Sequence, residues 1–586
     1  MSGDGYDTDV VIVGGGPVGL TASLALSHLG VRHVLLERRR GLPVYPRAIG
    51  INQRSMELFR TLGVAEAVGA AAAPLLCQER TAWYTSLDGP TELHGRVLGS
   101  RNSWGSGVYV AEYAAASPCT WRILAQIRLE PILRELAQRS PVADARFGTE
   151  VVDLAPDEDS VVVTAQDEAG PTQIRARYLI GADGGRTIGP ALGIDSSGPA
   201  DLVDMVSLYF SADLRRFRDP SVLMSWFVNP DHGGSINTGF LYPVGPWDAD
   251  GHSAEFVFVY AANPGDSRQA EPEEARQRMR ATLGIADLDP VLHSVSHWNI
   301  QAVVADRFRA GRSFLVGDAA HRVPPWGAMG MNTGLQDVQN LAWKLALCLD
   351  HPELAGLLDS YESERRPVAQ AVATNALASF HDAVGVIDAA LGIDPHDPAQ
   401  GWRNIEQLYA AGPQGDERRA AMDAALRTMD SEFHAHGSDC GFFYTDGAFD
   451  QDTEPVAADP LLYVPRALPG HHLPHFWLAG GAARSRSTVD LPALREFVLV
   501  VDGEQPAWRA AVADSTHVLA RRLTVHELPA DASSPDHPKS WGELREVGPT
   551  GALLVRPDGF VAWRWDERPA DPRAALTAAL ARLCGS

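Results

Sequence analysis

The sequence is almost without lysine. Of its 50 basic residues only Lys344 and Lys539 are lysine, and the rest are arginine. Acidic residues number 74, which gives a formal net charge of −24 at pH 7. A surface with this excess of negative charge repels nucleic acids and anionic membranes, so we expect neither as a partner. The preference for arginine, with the many alanines, indicates a bacterial source with a GC-rich genome.

Cysteine is also scarce, and long apolar runs are missing. The cysteines occur singly, with no C-x-x-C pair and no metal-ligand spacing, which predicts reduced thiols and no metal site. Residues 1–9 contain no lysine or arginine, so no secretory signal is expected. No uncharged stretch, other than the Gly-rich one described next, is long enough to span a bilayer. Together these absences predict a cytoplasmic protein. The five cysteines are Cys77, Cys119, Cys348, Cys440 and Cys584.

Residues 10–38 carry the strongest local signal in the chain. Four apolar residues at 10–13 predict a strand buried on both faces, and Gly14, Gly16 and Gly19 follow as G-x-G-x-x-G. An apolar helix to about Leu29 and a second strand ending at Glu37 complete the unit. In such a unit the glycines allow a tight turn, close approach of a pyrophosphate and close helix packing. A carboxylate at the end of the second strand suits an adenosine ribose and argues against a 2′-phosphate.

Two further Gly-rich segments follow predicted strands. Residues 177–180 form a strand that runs into Gly-Ala-Asp-Gly at 181–184. Residues 312–316 form another, followed by Gly-Asp-Ala-Ala-His at 317–321, two prolines at 324–325 and a second Gly-rich loop at 327–334. A long amphipathic helix begins after that loop, and its N-terminal dipole could stabilise negative charge on a ligand.

The remaining segments change in character along the chain. Residues 149–167 predict a β-ribbon, and residues 200–300 alternate apolar and polar residues between turns, which predicts a largely antiparallel sheet. Residues 351–437 are mostly helical, and 438–470 are irregular. Strands at 497–501, 523–528 and 551–565, with a hairpin turn at 557–559 and a closing helix at 571–583, suggest a thioredoxin-like domain. That domain lacks a redox pair of cysteines.

The three Gly-rich segments, in this order, resemble those of the FAD-dependent aromatic hydroxylases, which are single-component flavoprotein monooxygenases. Length and three further runs are similar to the phenol and 2,4-dichlorophenol hydroxylase branch, which includes polyketide ring hydroxylases. The resemblance implies FAD as the cofactor and NAD(P)H as a co-substrate. Trp326 differs from the pattern of the dichlorophenol hydroxylase branch, in which a smaller residue is expected directly after the two prolines. The three runs are 116–119, 332–346 and 473–478.

The resemblance also implies a role for each matching residue. Arg47 would lie near the pyrophosphate and the flavin, Gln126 and Asp318 would contact the ribityl chain, and Asp183 would contact FAD from the second Gly-rich segment. The implied cofactor-binding residues are Gly14, Gly16, Pro17, Gly19, Glu37, Arg38, Arg47, Gln126, Asp183, Gly184, Asp318, Pro325, Gly330, Met331 and Asn332.

Pro325 and Arg47 are the implied catalytic residues. The carbonyl of Pro325 would accept a hydrogen bond from a substrate hydroxyl at the flavin, and backbone N–H groups at Met331 and Asn332 would face the pyrimidine end of the flavin. For the substrate we expect contacts with Trp226, Tyr242 and Trp326. The base that deprotonates the substrate is not decided, and its candidates are His232, Tyr242 and His321.

The implied reaction hydroxylates a ring that bears a hydroxyl group, such as a phenol, a hydroxypyridine or a polyketide. NAD(P)H reduces FAD, and O2 then forms a flavin C4a-hydroperoxide that the ring attacks. Three alternatives remain open: a Baeyer–Villiger or epoxidising oxygenase, a flavin oxidase or dehydrogenase, and a non-enzymatic protein that binds FAD.

The predicted fold class is α/β, with a Rossmann-like FAD-binding domain, an inserted mixed or antiparallel sheet domain for the substrate and a thioredoxin-like C-terminal domain. A small aromatic substrate and O2 are the expected partners, and we expect a homo-oligomer. The predicted divisions are a first FAD-binding segment at 1–190, the substrate sheet at 191–300, a second FAD-binding segment with helices at 301–437, a linker at 438–470 and the C-terminal domain at 471–586.

Overall fold

The computed structural model describes residues 5–262, 270–451, 459–478, 486–534 and 537–584. Residues 5–191 contain both strands and helices. In chain order they are β1 (Thr8–Val13), α1 (Pro17–His28), β2 (His33–Glu37), β3 (Gly50–Ile51), α2 (Gln53–Thr61), α3 (Ala65–Ala71), β4 (Arg80–Tyr84), β5 (Val97–Asn102), α4 (Val110–Ala116), β6 (Arg122–Ile123), α5 (Gln126–Arg139), β7 (Ala143–Phe147), β8 (Glu150–Pro156), β9 (Val161–Asp167), β10 (Gly170–Gly181) and α6 (Ile188–Ala191).

The next segment is mainly extended, and the one after it is mainly helical. The extended segment contains β11 (Ser196–Ser197), β12 (Asp204–Ser211), β13 (Val222–Phe227), α7 (Ser235–Thr238), β14 (Phe240–Pro243), β15 (Glu255–Ala261), α8 (Pro272–Leu283), β16 (Val291–Asn299) and β17 (Val303–Ala305). The helical segment contains β18 (Arg309–Ala310), β19 (Ser313–Leu315), β20 (His321–Arg322), α9 (Met329–Asp350), α10 (Ser360–Leu391), α11 (Pro398–Tyr409), α12 (Pro413–Thr428), α13 (Asp430–Phe433) and α14 (His436–Cys440).

A parallel sheet forms the centre of the region that is predicted to bind FAD. Its order is β18-β19-β10-β1-β2-β7, and β19, β10, β1, β2 and β7 run parallel. Val10, Val11 and Ile12 have no exposed surface, as the run of apolar residues predicts. The β8-β9 ribbon extends the sheet from β10, in agreement with the prediction for 149–167.

A second, mixed sheet has the order β16-β12-β15-β14-β13-β4-β5. Its strands alternate between two cores: Tyr242 and Val257 belong to one, and Leu241 and Phe256 to the other. The predicted antiparallel pairing holds within 200–300. The sheet also includes β4 and β5, because β4 pairs in parallel with β13. It therefore extends beyond the predicted range of 191–300, since short strands far apart in sequence give no local signal of their pairing.

The C-terminal region contains β21 (Phe497–Val501), α15 (Pro506–Ala513), β22 (Leu523–Glu527), α16 (Trp541–Leu544), β23 (Ala552–Val555), β24 (Val561–Trp565) and α17 (Pro572–Leu583). The sheet order is β22-β21-β23-β24, with β21 parallel to β22 and the other pairs antiparallel. The predicted hairpin turn at 557–559 joins β23 to β24. The thioredoxin-like classification of this region stays a prediction, as does the division into domains.

The described residues that follow α14, 441–451 and 459–470, are irregular, but they are packed against other regions of the chain. Tyr444 and Phe449 are buried, and Tyr444 stacks on Phe560 with ring centroids 4.3 Å apart. Residues 452–458 of this segment lie outside the described ranges. Among the residues that the structure describes, no helix is both long and apolar enough to cross a membrane.

Candidate active site

The first Gly-rich turn joins β1 to α1, and its glycines differ in what surrounds them. Gly14 has φ +112°, and a β-carbon on it would lie 2.2 Å from the carbonyl oxygen of Ala182. A β-carbon on Gly19 would lie 1.9 Å from the carbonyl oxygen of Gly14. Gly16, in contrast, has no atom of the described residues within 4 Å of that position. Space is therefore open at the glycine where a pyrophosphate is expected to approach the backbone.

The N-terminus of α1 is free to bind an anion. Gly16 is its N-cap and Pro17 its first residue, and neither a capping side chain nor an acidic residue lies in the first turn. The carboxylate of Glu37, at the end of β2, accepts hydrogen bonds from the backbone N–H groups of Gly15 at 2.7 Å and Arg39 at 2.8 Å. Unpaired N–H groups and the helix dipole attract phosphate, and Glu37 lies directly beside them.

A second helix N-terminus lies close to the first. A β-carbon on Gly334 of α9 would lie 2.7 Å from Cγ2 of Val18 in α1, so the two helices cross at very short range. No side chain caps α9, and its first turn contains no acidic residue. The side chain of Asn332 is not free for a ligand, because it donates to the carbonyls of Gly50 and Ala328 and accepts from the N–H of Asn52.

The segment before α9 contains an exposed acid and a buried network. Asp318 is exposed in a 3-10 turn at 317–319. His321, by contrast, is 1% exposed, and its Nε2 lies 2.8 Å from Oδ2 of Asp337. Arg365 donates to the other oxygen of Asp337 at 2.8 Å. His321 and Arg365 together hold the pKa of Asp337 below its usual value despite burial. This network fixes the loop and leaves Asp318 available to a ligand.

The residues at the start of α5 meet the segment that contains Arg47. Arg47 is exposed, and the backbone N–H of Gln126 donates to the carbonyl of Ala48 at 2.8 Å. The side-chain amide of Gln126 donates to Glu130, one helical turn later, at 2.5 Å. Burial raises the pKa of Glu130, which is 4% exposed. Glu130 was not among the predicted residues, although its i, i+4 spacing from Gln126 on a helix was a usable signal.

The carboxylate of Asp183 is hydrogen-bonded to the backbone of the turn that follows it. Its carboxylate accepts hydrogen bonds from the backbone N–H groups of residues 185–188, at 3.3, 3.1, 2.5 and 3.0 Å. A carboxylate that receives four such bonds fixes the turn after β10. The FAD contact expected of Asp183 and Gly184 stays a prediction, and the side chain of Asp183 has a structural role.

One face of the mixed sheet, here called the aromatic face, carries Trp83, Trp226, Phe240 and Tyr242. Trp226 pairs across the strands with Trp83 and Phe240, and its ring centroid is 4.5 Å from that of Phe240. Burial raises the pKa of Tyr242. Trp326 belongs to the same buried cluster, so the three residues that were predicted to contact the substrate share one hydrophobic cluster.

Pro325 and Trp326 lie where the Gly-rich loop meets this cluster. Pro325 is exposed, and its carbonyl accepts from the N–H of Ala328 at 3.1 Å, which leaves one lone pair of that oxygen. Trp326 is 2% exposed and packs edge-on against Phe380 of α10, with centroids 4.7 Å apart. The turn therefore connects the start of α9 to α10 and to the buried cluster that contains the aromatic face.

The three candidate bases are placed differently. His321 is committed to Asp337, as described above. His232 lies beside Arg278 and Ala281 of α8, and α8 packs on the other face of the mixed sheet. Of the three, Tyr242 lies on the aromatic face. Of the three candidate bases, Tyr242 is therefore the one that lies on the face where the substrate is predicted to bind.

Two family models match this chain: the FAD binding domain over residues 7–376 and the aromatic-ring hydroxylase C-terminal domain over residues 466–586. The chain belongs to the FAD-dependent aromatic-ring hydroxylases. This hydroxylase is 35% identical to 2,4-dichlorophenol 6-monooxygenase of Delftia acidovorans, over 97% of each chain. It is also 35% identical to a putative polyketide hydroxylase of Streptomyces halstedii, over 95% of this chain and 93% of the relative.

Solved structures agree with this assignment. The flavin-dependent monooxygenase PieE, in complex with FAD and substrate, superposes with a TM-score of 0.88 at 35% identity, over 99% of this chain and 100% of PieE. Aklavinone-11 hydroxylase, in a ternary complex with FAD and aklavinone, gives 0.78 at 30% identity over 99% of both chains. The predicted fold class, the FAD cofactor and the monooxygenase activity on an aromatic ring are confirmed, and NAD(P)H is the usual reductant in the family.

The residues present in this hydroxylase fit FAD. The open backbone at Gly16 and the uncapped start of α1 suit the pyrophosphate, and the carboxylate of Glu37 suits the ribose. The exposed acid Asp318 precedes the uncapped start of α9, and its first turn contains Met331 and Asn332, whose N–H groups are expected to face the pyrimidine end of the flavin. The contacts of individual residues with FAD, including those of Arg38 and Arg47, stay predictions.

Proposed function

We propose that this hydroxylase acts on a hydroxyl-bearing aromatic substrate with more than one ring, bound between the aromatic face and the Pro325-Trp326 turn. The observation that carries this proposal is a band of neighbouring aromatic side chains. From Phe240 and Trp226 the band passes through Trp83 to Phe433, whose centroid is 6.0 Å from that of Trp83. It continues to Trp104, 5.4 Å from Phe433, and to Trp121, 6.1 Å from Trp104.

A band of this length suits a polycyclic ring system. Ligand pockets are mostly apolar, and aromatic rings pack well in offset or edge-to-face arrangements. Relatives with polyketide substrates support this choice: tetracenomycin B2 monooxygenase-dioxygenase of Streptomyces olivaceus is 34% identical over 99% of both chains. A simple chlorophenol has one ring and would cover only a fraction of the band.

The roles of the chain's own residues follow from this placement. The carbonyl of Pro325 can accept a hydrogen bond from the substrate hydroxyl, which orients the ring toward the flavin. Tyr242 lies on the same face and can join the path of the hydroxyl proton, because a phenolate is a better nucleophile than a phenol. The buried aromatic wall excludes water from the reacting ring. FAD, when bound, accepts hydride from NAD(P)H and activates O2.

A panel of substrates tests this proposal. The stimulation of NAD(P)H oxidation would be measured with simple phenols, chlorophenols, hydroxypyridines and polycyclic polyketides, and each product would be identified by mass. We expect the polycyclic compounds to give the largest coupled turnover. Turnover with chlorophenols alone would contradict the multi-ring proposal. An oxygen atom inserted into the ring, as a lactone or epoxide, would favour the Baeyer–Villiger or epoxidising alternative.

Two further features belong to the proposal. The five cysteines are free thiols, which agrees with the cytoplasm as the compartment. A homo-oligomer stays a prediction, and light scattering on the purified holoenzyme measures it.

A further inference from the structure

Glu432 differs from every other buried acid among the described residues. It is 7% exposed, and its Oε2 is buried without a hydrogen-bond partner there. The other buried carboxylates each have at least one partner. They are Glu57 with Arg54, Glu130 with Gln126, Asp337 with Arg365, Glu364 with Arg556, Asp439 with Trp121 and Asp558 with Arg556.

Glu432 lies next to the aromatic face. It belongs to α13, and the following residue, Phe433, packs edge-on against both Trp83 and Trp104. The carbonyl of Phe433 also accepts a hydrogen bond from the backbone N–H of Trp104 at 2.8 Å. The helical turn α13 contacts the 3-10 turn at 326–328, which contains Trp326. Glu432 therefore directly precedes, in the sequence, a member of the aromatic band on which the substrate ring is proposed to bind.

Burial determines the state of this carboxyl group. Burial alone raises the pKa of Glu432 well above its usual value, because burial disfavours the charged carboxylate relative to the neutral acid. A neutral carboxyl offers one O–H donor and one carbonyl acceptor. A buried polar group without a partner is unfavourable for folding, and such a group in a native protein calls for an explanation. A ligand that hydrogen-bonds to it is one such explanation.

Other hydrogen-bond donors in the same cluster are also without partners. The indole N–H groups of Trp104, Trp226 and Trp326 are buried, and none has an acceptor among the described residues. The three indoles belong to one apolar cluster, and Glu432 is bonded in sequence to Phe433 of that cluster. A site of this kind favours a ring with several oxygen acceptors over a ring with one hydroxyl group.

We propose that Glu432 is a substrate-binding residue whose carboxyl group hydrogen-bonds to an oxygen substituent of the aromatic substrate. The enzyme would thereby select rings that carry carbonyl oxygens in addition to the reacting hydroxyl. This inference rests on the proposed function, because it assumes that the ring binds on the aromatic face. The inference adds a hydrogen bond from Glu432 by which the site would distinguish polycyclic rings with carbonyl oxygens from those without.

Two probes with equal ring counts test the inference in the FAD-loaded enzyme. They are a hydroxyanthraquinone, which carries two ring carbonyls, and a hydroxyanthracene, which carries none. Dissociation constants are read from the change in flavin absorbance on binding. We expect the wild-type enzyme to bind the quinone more tightly. Glu432→Leu should weaken quinone binding on the order of tenfold and leave hydroxyanthracene binding nearly unchanged, because only a hydrogen bond is lost.

Controls separate this role from a structural one. Glu432→Gln keeps a donor and an acceptor, so it should keep quinone binding within about threefold. Glu432→Leu should melt at or above the wild-type temperature, since it removes a buried unpaired polar group. Glu417→Leu, at an exposed acid of α12, should change neither property. A Glu432→Gln variant that loses the preference for the quinone overturns the inference, even if the Leu variant does not fold.

The outcomes also separate the inference from the proposed function. If both probes perturb the flavin and neither substitution changes their affinities, Glu432 does not contact the ring and only the inference is wrong. If neither probe perturbs the flavin while a single-ring phenol does, the multi-ring proposal is wrong and the inference falls with it.

Discussion

Asp439 is a buried acid near the start of α9. Its Oδ2 accepts from the indole N–H of Trp121 at 3.2 Å, and its Oδ1 accepts from the side chain of Asn52 at 3.5 Å. The backbone N–H of Asn52 in turn donates to Asn332 at 3.1 Å. Burial raises the pKa of Asp439 from 3.8 to about 7. The acid is therefore two hydrogen bonds away from the helix that the flavin is expected to approach.

The raised pKa of Asp439 predicts a pH-dependent stability. Between pH 3.8 and about 7 the folded state binds this proton more tightly than the unfolded state, so stability falls as pH rises through that range and the loss is complete above the folded pKa. The cost between about pH 5 and about pH 8 is roughly 3 kcal/mol. Asp439→Asn cannot ionise, so its melting temperature should fall less over this range than that of the wild type. Parallel curves for both proteins would rule out this titration.

Substitution of Asp318 tests its expected contact with the ribityl chain of FAD. The side chain is exposed in its 3-10 turn, so its removal should not disturb the core. A charge-assisted hydrogen bond contributes about 1.5 to 3 kcal/mol, and Asp318→Ala should therefore weaken FAD binding roughly tenfold to a hundredfold. The measurement is the dissociation constant of FAD for the refolded apoprotein. Asp306→Ala, at another exposed acid, is the control, and equal FAD affinity in all three proteins would refute the contact.

At the residue scale, sequence patterns identified the positions of motif residues better than they identified which side chains are buried together. Gly14, Gly16 and Gly19 lie where a G-x-G-x-x-G motif requires them, because the motif is local. Glu432 and Asp439 were missed, because a buried acid and an exposed acid look the same in a sequence. Burial comes from elements that are distant along the chain, and a single sequence does not reveal it.

At the element scale, strands and turns with strong local chemistry were predicted well. The alternation within 200–300 predicted an antiparallel sheet, which the pairing of β12, β14, β15 and β16 shows, and the turn at 557–559 predicted the hairpin of β23 and β24. The pairing of β4 with β13 was not predictable, since it joins segments more than a hundred residues apart. The same holds for α13, a single turn of helix that lies over the aromatic face.

The 3-10 turn at 326–328 should control how well the ring is held. Trp326→Ala removes an indole that packs on Phe380, so the substrate loses a section of its wall. We expect FAD to stay bound and reducible, while NAD(P)H oxidation yields more hydrogen peroxide and less product, because a small misplacement of the ring has a large effect on rate. Peroxide and product would be measured per NAD(P)H consumed.

A matched variant controls for the lost volume. Trp508→Ala removes a fully buried indole from the C-terminal region, far along the chain from the aromatic face. Each variant should lose stability by about 3 to 5 kcal/mol. Only Trp326→Ala should lose coupling. If Trp326→Ala keeps wild-type specificity and coupling, the side chain does not line the site.

At the scale of the whole molecule, a buried ionic network joins the C-terminal region to the FAD-binding region. Arg556 donates to both oxygens of Glu364 in α10, at 2.6 and 2.8 Å, and also binds Asp558. Lys344 of α9 donates to Glu364 at 2.8 Å. Arg556, Lys344 and Glu364 have no exposed side-chain surface, and Arg556 and Lys344 hold the pKa of Glu364 well below its usual range.

Removal of one member of this network should destabilise the protein strongly. Arg556→Met leaves Asp558 without its cation, and a broken buried pair costs about 3 to 5 kcal/mol. The melting temperature should fall clearly. Arg564→Met is the control, because Arg564 pairs with the exposed Asp566, and such a pair contributes about 1 kcal/mol or less. Equal melting temperatures for the two variants would mean that the network does not hold the C-terminal region in place.

The incorporation of oxygen from labelled O2 tests the central claim most directly. The purified protein, loaded with FAD and supplied with NAD(P)H and the best substrate of the panel, would react under oxygen-18 gas. The account predicts a product with one hydroxyl group more than the substrate, and one labelled oxygen atom in that group. A product without the label, or oxidation of the substrate with all of the label in hydrogen peroxide, would contradict it and favour an oxidase or dehydrogenase on the same fold.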